Sequence, residues 1–183
     1  MTHSVQLMRD KFFSTRTVIC TGNPNKNTTI ASGVKKIWPD ATFLCRSTGW
    51  DLESCSEFDL AEEFKRHNTF INASNIKPGV QKKLLDICHN NCRFFDVVNI
   101  GSMYELRDER KDQYTISKIE LKNTSLAYNS FRFQTTHIIL GGIQCDQHPE
   151  WLTPDEIASS IQWTLSQRYK IPIVSITQPL APW

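Results

Sequence analysis

Short apolar runs alternate along this chain with stretches in which apolar residues recur every three or four positions. The short runs, rich in β-branched residues, predict buried strands at 17–21, 41–45, 69–74, 94–102, 133–140 and 171–176. The helical spacing predicts helices from 27 or 28 to 38, over 61–66, 78–91 and about 111–129, and from 153 onward. Residues 1–14 are expected to be a loose lead-in. Alternating strands and helices predict one α/β layer fold with a parallel sheet and right-handed crossovers.

Length and composition indicate an ordinary globular chain of one domain, spanning 1–183. It has 183 residues, of which 39% are hydrophobic and 22% are charged, and a formal net charge of +2. So small a charge argues against a nucleic-acid partner, and no apolar run is long enough to span a membrane. The six cysteines show no paired spacing, so no metal is expected and a reducing cytoplasm is the simplest location.

Two residues with matched chemistry stand four positions apart on the helix predicted near 111–129. Tyr114 and Lys118 should share one helix face, and an ammonium beside a phenol favours the phenolate and so lowers the phenol pKa. Such a tyrosine can exchange a proton near neutral pH. Ser102, at the end of the preceding strand, adds a hydroxyl that could hold a carbonyl or alcohol oxygen. The alternative is an exposed tyrosine and a surface lysine on an ordinary helix.

With Ser117 just before Lys118, this order of residues resembles the short-chain dehydrogenase/reductase family. The resemblance implies a three-layer, doubly wound Rossmann-like sheet of about seven strands. It implies catalytic roles for Ser102, Tyr114 and Lys118: Tyr114 as the acid/base, Lys118 lowering its pKa and holding the nicotinamide ribose, and Ser102 positioning the substrate oxygen.

The resemblance also implies a nicotinamide dinucleotide, at a loop that departs from the family pattern. Thr21-Gly22 matches the start of the family's glycine fingerprint, and Asn23 continues the turn. Lys26 and Thr28 stand where the second and third glycines belong. At that position the Lys26 ammonium would form a direct ionic contact with a phosphate of the cofactor. Arg46, just after the second strand, favours the 2′-phosphate of NADP over NAD.

Other cofactor contacts are carried over from the family position by position. Segment 57–60 resembles the third strand, which would bring Asp59 to the adenine. Asn72 and Ala73 match part of the family's fourth-strand motif, where Asn72 would brace the sheet. Gly141 and Ile143 would line the nicotinamide. The chain is shorter than the family by roughly two dozen residues before the fifth strand, so the family's catalytic asparagine has no counterpart that can be assigned.

Three functions remain open from the sequence. The first is an NAD(P)-dependent oxidoreductase acting on a small-molecule carbonyl or alcohol, in which the short segment 144–152 leaves an open pocket for a larger or loosely held substrate. The second is a binding or scaffold protein on the same fold, favoured by the altered glycine loop. The third is a sugar-nucleotide epimerase or dehydratase, although the large C-terminal substrate region of that branch has no counterpart here. The resemblance further implies a homodimer or homotetramer.

Overall fold

The computed structural model describes residues 16–74, 77–93, 95–106, 112–167 and 171–177. The predicted lead-in at 1–14 lies outside these ranges, as does 107–111, which belongs to the loop predicted after Ser102.

Six parallel strands form one sheet in the described part of the chain. They are β1 (Val18–Thr21), β2 (Thr42–Leu44), β3 (Thr69–Asn72), β4 (Phe95–Ile100), β5 (Phe133–Leu140) and β6 (Ile173–Ile176). Their order across the sheet is β2-β1-β3-β4-β5-β6, so the direction of winding reverses beside β1. The predicted α/β fold with a parallel sheet is confirmed, with six strands rather than about seven.

Five α-helices within the described ranges cover the two faces of this sheet. They are α1 (Ile30–Ile37), α2 (Glu57–Phe64), α3 (Val80–Asn91), α4 (Gln113–Tyr128) and α5 (Pro154–Ser166). Two short 3-10 turns follow β2 and β4, at Arg46–Thr48 and Met103–Leu106. None of these helices is long and apolar enough to cross a bilayer.

The core divides into two layers because side chains alternate across a strand. Ile19 lies beside Phe70, and Phe70 beside Val97, in a row that faces the layer formed by α2, α3 and α4. Val18 and Cys20 point to the other layer, against α1 and α5. The predicted three-layer, doubly wound arrangement is confirmed.

The strand predicted at 57–60 is wrong, because this segment opens helix α2. The Ser56 side chain accepts a hydrogen bond from the Asp59 amide and caps the helix, and Leu60 and Phe64 bury one face four residues apart. Phe58, which gave the appearance of strand alternation, is 70% exposed. Asp59 therefore lies exposed in a first helical turn, and β2 becomes the edge of the sheet.

Helix α1 begins later than predicted, at Ile30, because Thr29 caps it. The Thr29 hydroxyl accepts from the Ser32 amide at 3.3 Å and donates to the Asn23 carbonyl at 2.7 Å. This contact closes residues 22–29 into a loop, with Lys26 exposed on it. The predicted start of α5 is confirmed by the reciprocal capping box of Thr153 and Glu156.

Candidate active site

Ser102 and Tyr114 meet at the carboxyl end of β4. Ser102 stands two residues beyond the strand, and Tyr114 lies in the first turn of α4, which Asp112 caps by accepting from the Thr115 amide at 2.7 Å. The Ser102 side chain lies near enough to Tyr114 to act on the pKa of its phenol. The ring of Tyr104 packs edge-on against that of Tyr114, with centroids 6.4 Å apart.

Lys118 lies one turn further along α4, with its Nζ 5.4 Å from the centroid of the Tyr114 ring. Only 4% of the residue is exposed, and Nζ donates to Gln81 Oε1 at 2.5 Å and to the Ile100 carbonyl at 2.9 Å. Burial lowers the pKa of Lys118 to about 8, against the opposing effect of Glu105. The structure thus brings together Ser102, Tyr114 and Lys118, called here the Ser–Tyr–Lys cluster.

The expected lowering of the Tyr114 pKa is wrong in direction. Burial raises the pKa of Tyr114, and the nearby Glu105, Tyr104 and Asp112 add to the rise, while the Ser102 side chain opposes it. The Lys118 ammonium donates hydrogen bonds to the Gln81 side chain and the Ile100 carbonyl. These groups, which lie beneath the Tyr114 ring, therefore take the place of the phenol oxygen as its partners.

A chain of buried amides continues from this cluster into the sheet. Asn72 donates from Nδ2 to Asn99 Oδ1 at 2.9 Å and to the Gln81 carbonyl at 2.8 Å, and Asn99 donates to the Ser125 hydroxyl at 3.2 Å. Asn72 and Asn99 face each other across β3 and β4, so Asn72 ties these strands to helix α3. Sequence reasoning missed Asn99 and Gln81; a polar residue inside the apolar run of β4 was the available signal.

Glu105 and His137 were also missed. Both side chains are fully buried, and His137 Nε2 lies 2.9 Å from Glu105 Oε1. A histidine in the middle of the apolar run at 133–140 was a signal for a buried polar contact, but nothing in the sequence pointed to Glu105 as its partner.

A cavity of about 340 Å³ opens at the carboxyl ends of β1 and β2. We call it the β1–β2 pocket; Gly22, Asn23, Arg46 and Ser74 are among the residues that line it. Gly22 has a φ of +125°, a conformation that a side chain rarely adopts, and a Cβ there would lie 3.1 Å from that of Ala31. Among the residues that the structure describes, the buried Ser74 hydroxyl has no hydrogen-bond partner.

The charged residues of this pocket are paired with one another. The Arg46 side chain, 74% exposed, lies 3.6 Å from Asp51 and 3.4 Å from Glu53, and Lys77 also pairs with Glu53. Cys45 stands beside Arg46 on the pocket wall. Its burial acts to raise the pKa of the thiol, but hydrogen bonds from Ser47 and Thr48 lower it overall.

The other predicted cofactor residues lie outside the lining of this pocket. Lys26 and Asp59 are exposed on the loop and on α2. The Ala73 amide donates to the Thr21 hydroxyl at 2.8 Å and ties the end of β3 to that of β1. Gly141 extends the pairing of β5 with β6, because its amide donates to the Ile176 carbonyl at 2.9 Å. Ile143 forms an isolated bridge with Leu152.

No metal site accompanies these features in the described ranges, where no three His, Cys, Asp or Glu side chains converge as potential ligands.

The comparison with models of protein families found no match, and neither did the comparison with curated proteins. Solved structures do match. A short-chain dehydrogenase/reductase from Brucella melitensis (glucose/ribitol dehydrogenase) is 13% identical, with a TM-score of 0.65 over 88% of this chain and 94% of that chain. A short-chain dehydrogenase from Sphingobium yanoikuyae in complex with NADPH is 14% identical, with a TM-score of 0.65 over 87% of each chain.

A third neighbour is the 3-alpha-hydroxysteroid dehydrogenase from Pseudomonas sp. B-0831 complexed with NADH. It is 11% identical, with a TM-score of 0.61 over 87% of this chain and 95% of that chain. At such low identity these likenesses establish the fold, and this chain has the fold of the short-chain dehydrogenases/reductases.

Proposed function

We propose that this protein is an NAD(P)-dependent oxidoreductase that transfers hydride between a nicotinamide and a small-molecule carbonyl or alcohol substrate. The observation that carries the proposal is the Ser–Tyr–Lys cluster, in which the Tyr114 ring lies over the buried ammonium of Lys118 with the Ser102 side chain nearby. The fold supports it, because neighbours on the same fold were solved with NADPH and with NADH.

The β1–β2 pocket fits the adenosine half of such a cofactor. Its volume of about 340 Å³ is within the range of small-molecule sites, and it lies where the strand order reverses, the usual ligand position in an open α/β sheet. Gly22 and Asn23 would receive the diphosphate side, while Ser74 offers a buried hydroxyl that has no hydrogen-bond partner within the described ranges. When bound, the nicotinamide supplies or accepts the hydride.

The chain's own residues would orient the substrate and move the proton. Ser102 would hold the substrate oxygen, and Tyr114 would donate a proton to it or take one from it. Lys118 would keep a positive charge beneath the Tyr114 ring, since its ammonium is held by Gln81 and the Ile100 carbonyl. A negative charge that develops on the tyrosine oxygen is thereby favoured during the reaction.

The direct test is titration of the full chain with NADH and with NADPH, followed by nicotinamide fluorescence. Saturable binding is expected, and a panel of aldehydes and ketones should then reveal turnover that depends on Tyr114. Lys118→Ala should weaken binding, whereas Lys36→Ala, which removes an exposed lysine on α1, is the matched control. Absence of binding at millimolar concentrations of both nucleotides would refute the proposal.

A second candidate, a binding or scaffold protein on this fold, is favoured by the loop between β1 and α1. Lys26 and Thr28 carry side chains where the fold family has glycines, and the Lys118 ammonium is already satisfied by protein groups. This candidate predicts no nucleotide binding, so the same titration distinguishes the two.

We also propose self-association as a homodimer or homotetramer. Helix α4 presents Ile116 and Leu126 to solvent, 37% and 40% exposed, and apolar residues on one exposed helix suit a helix-to-helix interface. Light scattering coupled to size exclusion should show a mass of two or four chains, and Ile116→Lys should reduce it toward one.

A further inference from the structure

Three hydrogen bonds hold Ser102 at the start of the short turn Met103–Leu106. The Ser102 amide donates to Glu105 Oε1 at 2.8 Å, and the Glu105 amide donates to the Ser102 carbonyl at 3.0 Å. The Tyr104 amide donates to the Ser102 hydroxyl oxygen at 3.3 Å. An amide N–H can only donate, so the hydroxyl oxygen is the acceptor in this contact and its own proton is left for another acceptor.

This pattern resembles a capping box, but the glutamate in it is unusual for a cap. Glu156, which caps α5 together with Thr153, is exposed, as capping requires nothing more. The Glu105 side chain, by contrast, is fully buried. Burying a carboxylate is costly unless it is paired and hydrogen-bonded, so the position of Glu105 has a reason beyond capping a short turn.

Two side chains from neighbouring elements pair with the buried Glu105 carboxylate. His137, in β5, places Nε2 at 2.9 and 3.1 Å from the two carboxylate oxygens. Lys122, in α4, places Nζ at 3.6 Å from Oε2. Among the residues that the structure describes, His137 Nδ1 is buried without a hydrogen-bond partner, so the hydrogen bonds of the imidazole go to Glu105. The carboxylate thus joins the turn after β4 to both β5 and α4.

The backbone just before Ser102 leaves room for this pair. A Cβ on Gly101 would overlap both Glu105 Oε1 and His137 Nε2. A larger residue at position 101 would therefore displace the carboxylate or the imidazole, and glycine lets both rest against the main chain.

The Glu105 side chain is a carboxylate at neutral pH. Burial acts to raise its pKa, but the hydrogen bond and charge of His137 lower it, and the Ser102 amide and Lys122 add to the lowering. A hydrogen bond to a charged acceptor is about twice as strong as a neutral one. The Ser102 amide is therefore held firmly by a group that is itself fixed from two sides.

We propose that Glu105 is a positioning residue that fixes Ser102 so that the serine hydroxyl donates to the substrate oxygen. This inference rests on the proposed function, in which Ser102 holds that oxygen. Because the partners of the carboxylate come from β5 and α4, the turn cannot shift without breaking a buried charge pair. Glu105 acts through the main chain of Ser102 and takes no part in the transfer of the proton or the hydride.

The first measurement is backbone amide hydrogen exchange, followed by NMR on the full chain without cofactor. Glu105→Leu keeps the bulk of the side chain and removes its oxygens. The Ser102 amide should then exchange at least about tenfold faster relative to the Gly101 amide. The Gly101 amide donates to the Ile138 carbonyl at 2.7 Å and corrects for any loss of overall stability. An unchanged ratio in the folded variant overturns the proposal.

The second measurement is a double-mutant cycle on kcat for carbonyl reduction. Glu105→Leu should lower kcat by about tenfold in the unaltered background and by less than about twofold in Ser102→Ala, where the hydroxyl on which Glu105 acts is already absent. A purely structural role would give the same loss in both backgrounds, and that result overturns the proposal. The affinity for nucleotide should stay within about twofold in every variant.

Should Glu105→Leu not fold, Glu105→Gln replaces it in the cycle. This variant keeps an acceptor oxygen for the Ser102 amide but loses the charge. It should lower kcat by about threefold in the unaltered background and leave that of Ser102→Ala unchanged. Equal losses in both backgrounds again overturn the proposal.

Asp96→Asn is the matched control for the loss of a buried charge. Asp96 lies at the amino end of β4, is 5% exposed and pairs with Arg16 at 2.9 Å. Its substitution removes a buried, paired carboxylate from the same strand at the end away from Ser102. It should leave kcat within about twofold, whatever its cost in stability.

Nucleotide binding by the unaltered protein decides the proposed function separately. If neither NADH nor NADPH binds, the proposed function is refuted, and the exchange measurement still reports whether Glu105 fixes Ser102. If a nucleotide binds and the protein turns over a carbonyl substrate, equal losses in the cycle overturn only the positioning role of Glu105.

Discussion

The β1–β2 pocket and the Ser–Tyr–Lys cluster both lie at the carboxyl ends of the strands, but the cationic side chain of the pocket is exposed whereas that of the cluster is buried. In the pocket, Arg46 is 74% exposed and is paired with Asp51 and Glu53, which also line the pocket. In the cluster, Lys118 is 4% exposed and its hydrogen bonds go to Gln81 and a main-chain carbonyl.

The difference indicates which region can adapt to a ligand. Exposed ion pairs contribute little to stability and can exchange partners, so the pocket can give up a contact when a nucleotide arrives. Buried charges with satisfied hydrogen bonds are held in one geometry, and breaking them is costly. We therefore expect changes in the cluster to affect catalysis and folding strongly, and changes in the pocket to adjust cofactor choice modestly.

The largest effect is expected from Tyr114→Phe, which removes the phenol and keeps the ring. Turnover should fall by about 10²- to 10⁴-fold, the usual contribution of general acid–base catalysis, while nucleotide binding stays within about twofold. Steady-state kinetics and fluorescence titration measure the two quantities. Tyr104→Phe, at the neighbouring ring, is the control. Equal turnover of Tyr114→Phe and wild type would remove Tyr114 from the chemistry.

The next effect concerns stability and pH at Lys118. Its pKa is lowered to about 8 in the folded protein, so between pH 8 and about 10.5 the unfolded chain binds more protons than the folded one. The free energy of unfolding should therefore rise with pH in this window, by up to about 3 kcal/mol relative to Lys118→Met. Urea denaturation of both proteins at pH 7 and pH 10 measures the difference.

Lys36→Met, which removes an exposed ammonium, serves as the control for that series. A wild type that loses stability relative to Lys118→Met as the pH rises would show that the Lys118 ammonium is not desolvated as the structure has it.

A smaller effect is expected in the β1–β2 pocket, where acidic residues would compete with a 2′-phosphate for the Arg46 guanidinium. Asp51→Asn should free the guanidinium for a 2′-phosphate and improve the affinity for NADPH relative to NADH by about two- to fivefold. Arg46→Gln should shift the ratio the other way. Parallel fluorescence titrations give the ratio, and an unchanged ratio in both variants would mean that Arg46 takes no part in cofactor choice.

The smallest effect tests whether the nucleotide occupies the β1–β2 pocket. Cys45 and Cys55 are both half-buried, but the pKa of Cys45 is lowered while burial raises that of Cys55. Because the thiolate is the reactive form, iodoacetamide should modify Cys45 at least about twofold faster near pH 7.5. NADH should slow the reaction at Cys45 and leave Cys55 unaffected, as measured by peptide mass spectrometry. Protection of neither cysteine would argue that the nucleotide lies elsewhere.

Sequence and structure agree best where the signal is local. Strand β5 occupies the predicted 133–140, and Thr153 begins α5 with the capping box that its sequence indicates. The prediction at 57–60 was wrong because four residues cannot separate strand alternation from a helix start; the Ser56 cap and the four-residue spacing of Leu60 and Phe64 decided for the helix.

The candidate site likewise has a part that local sequence predicted and a part that it did not. The spacing of Tyr114 and Lys118 predicted a shared helix face, and the structure brings both together with Ser102. The direction of the Tyr114 pKa shift was not accessible from the sequence. It depends on burial and on Glu105, whose contact with His137 joins residues 32 positions apart.

The sequence by itself determined the alternation of strands and helices and the order of the Ser–Tyr–Lys residues, because periodicity and short spacings are local properties of the chain. Only the tertiary structure decided how charge is distributed around them: that Lys118 is turned to Gln81 and that Arg46 is shared by two carboxylates. Desolvation and Coulomb interactions depend on distances across the folded chain, and these are fixed only when the sheet and helices pack.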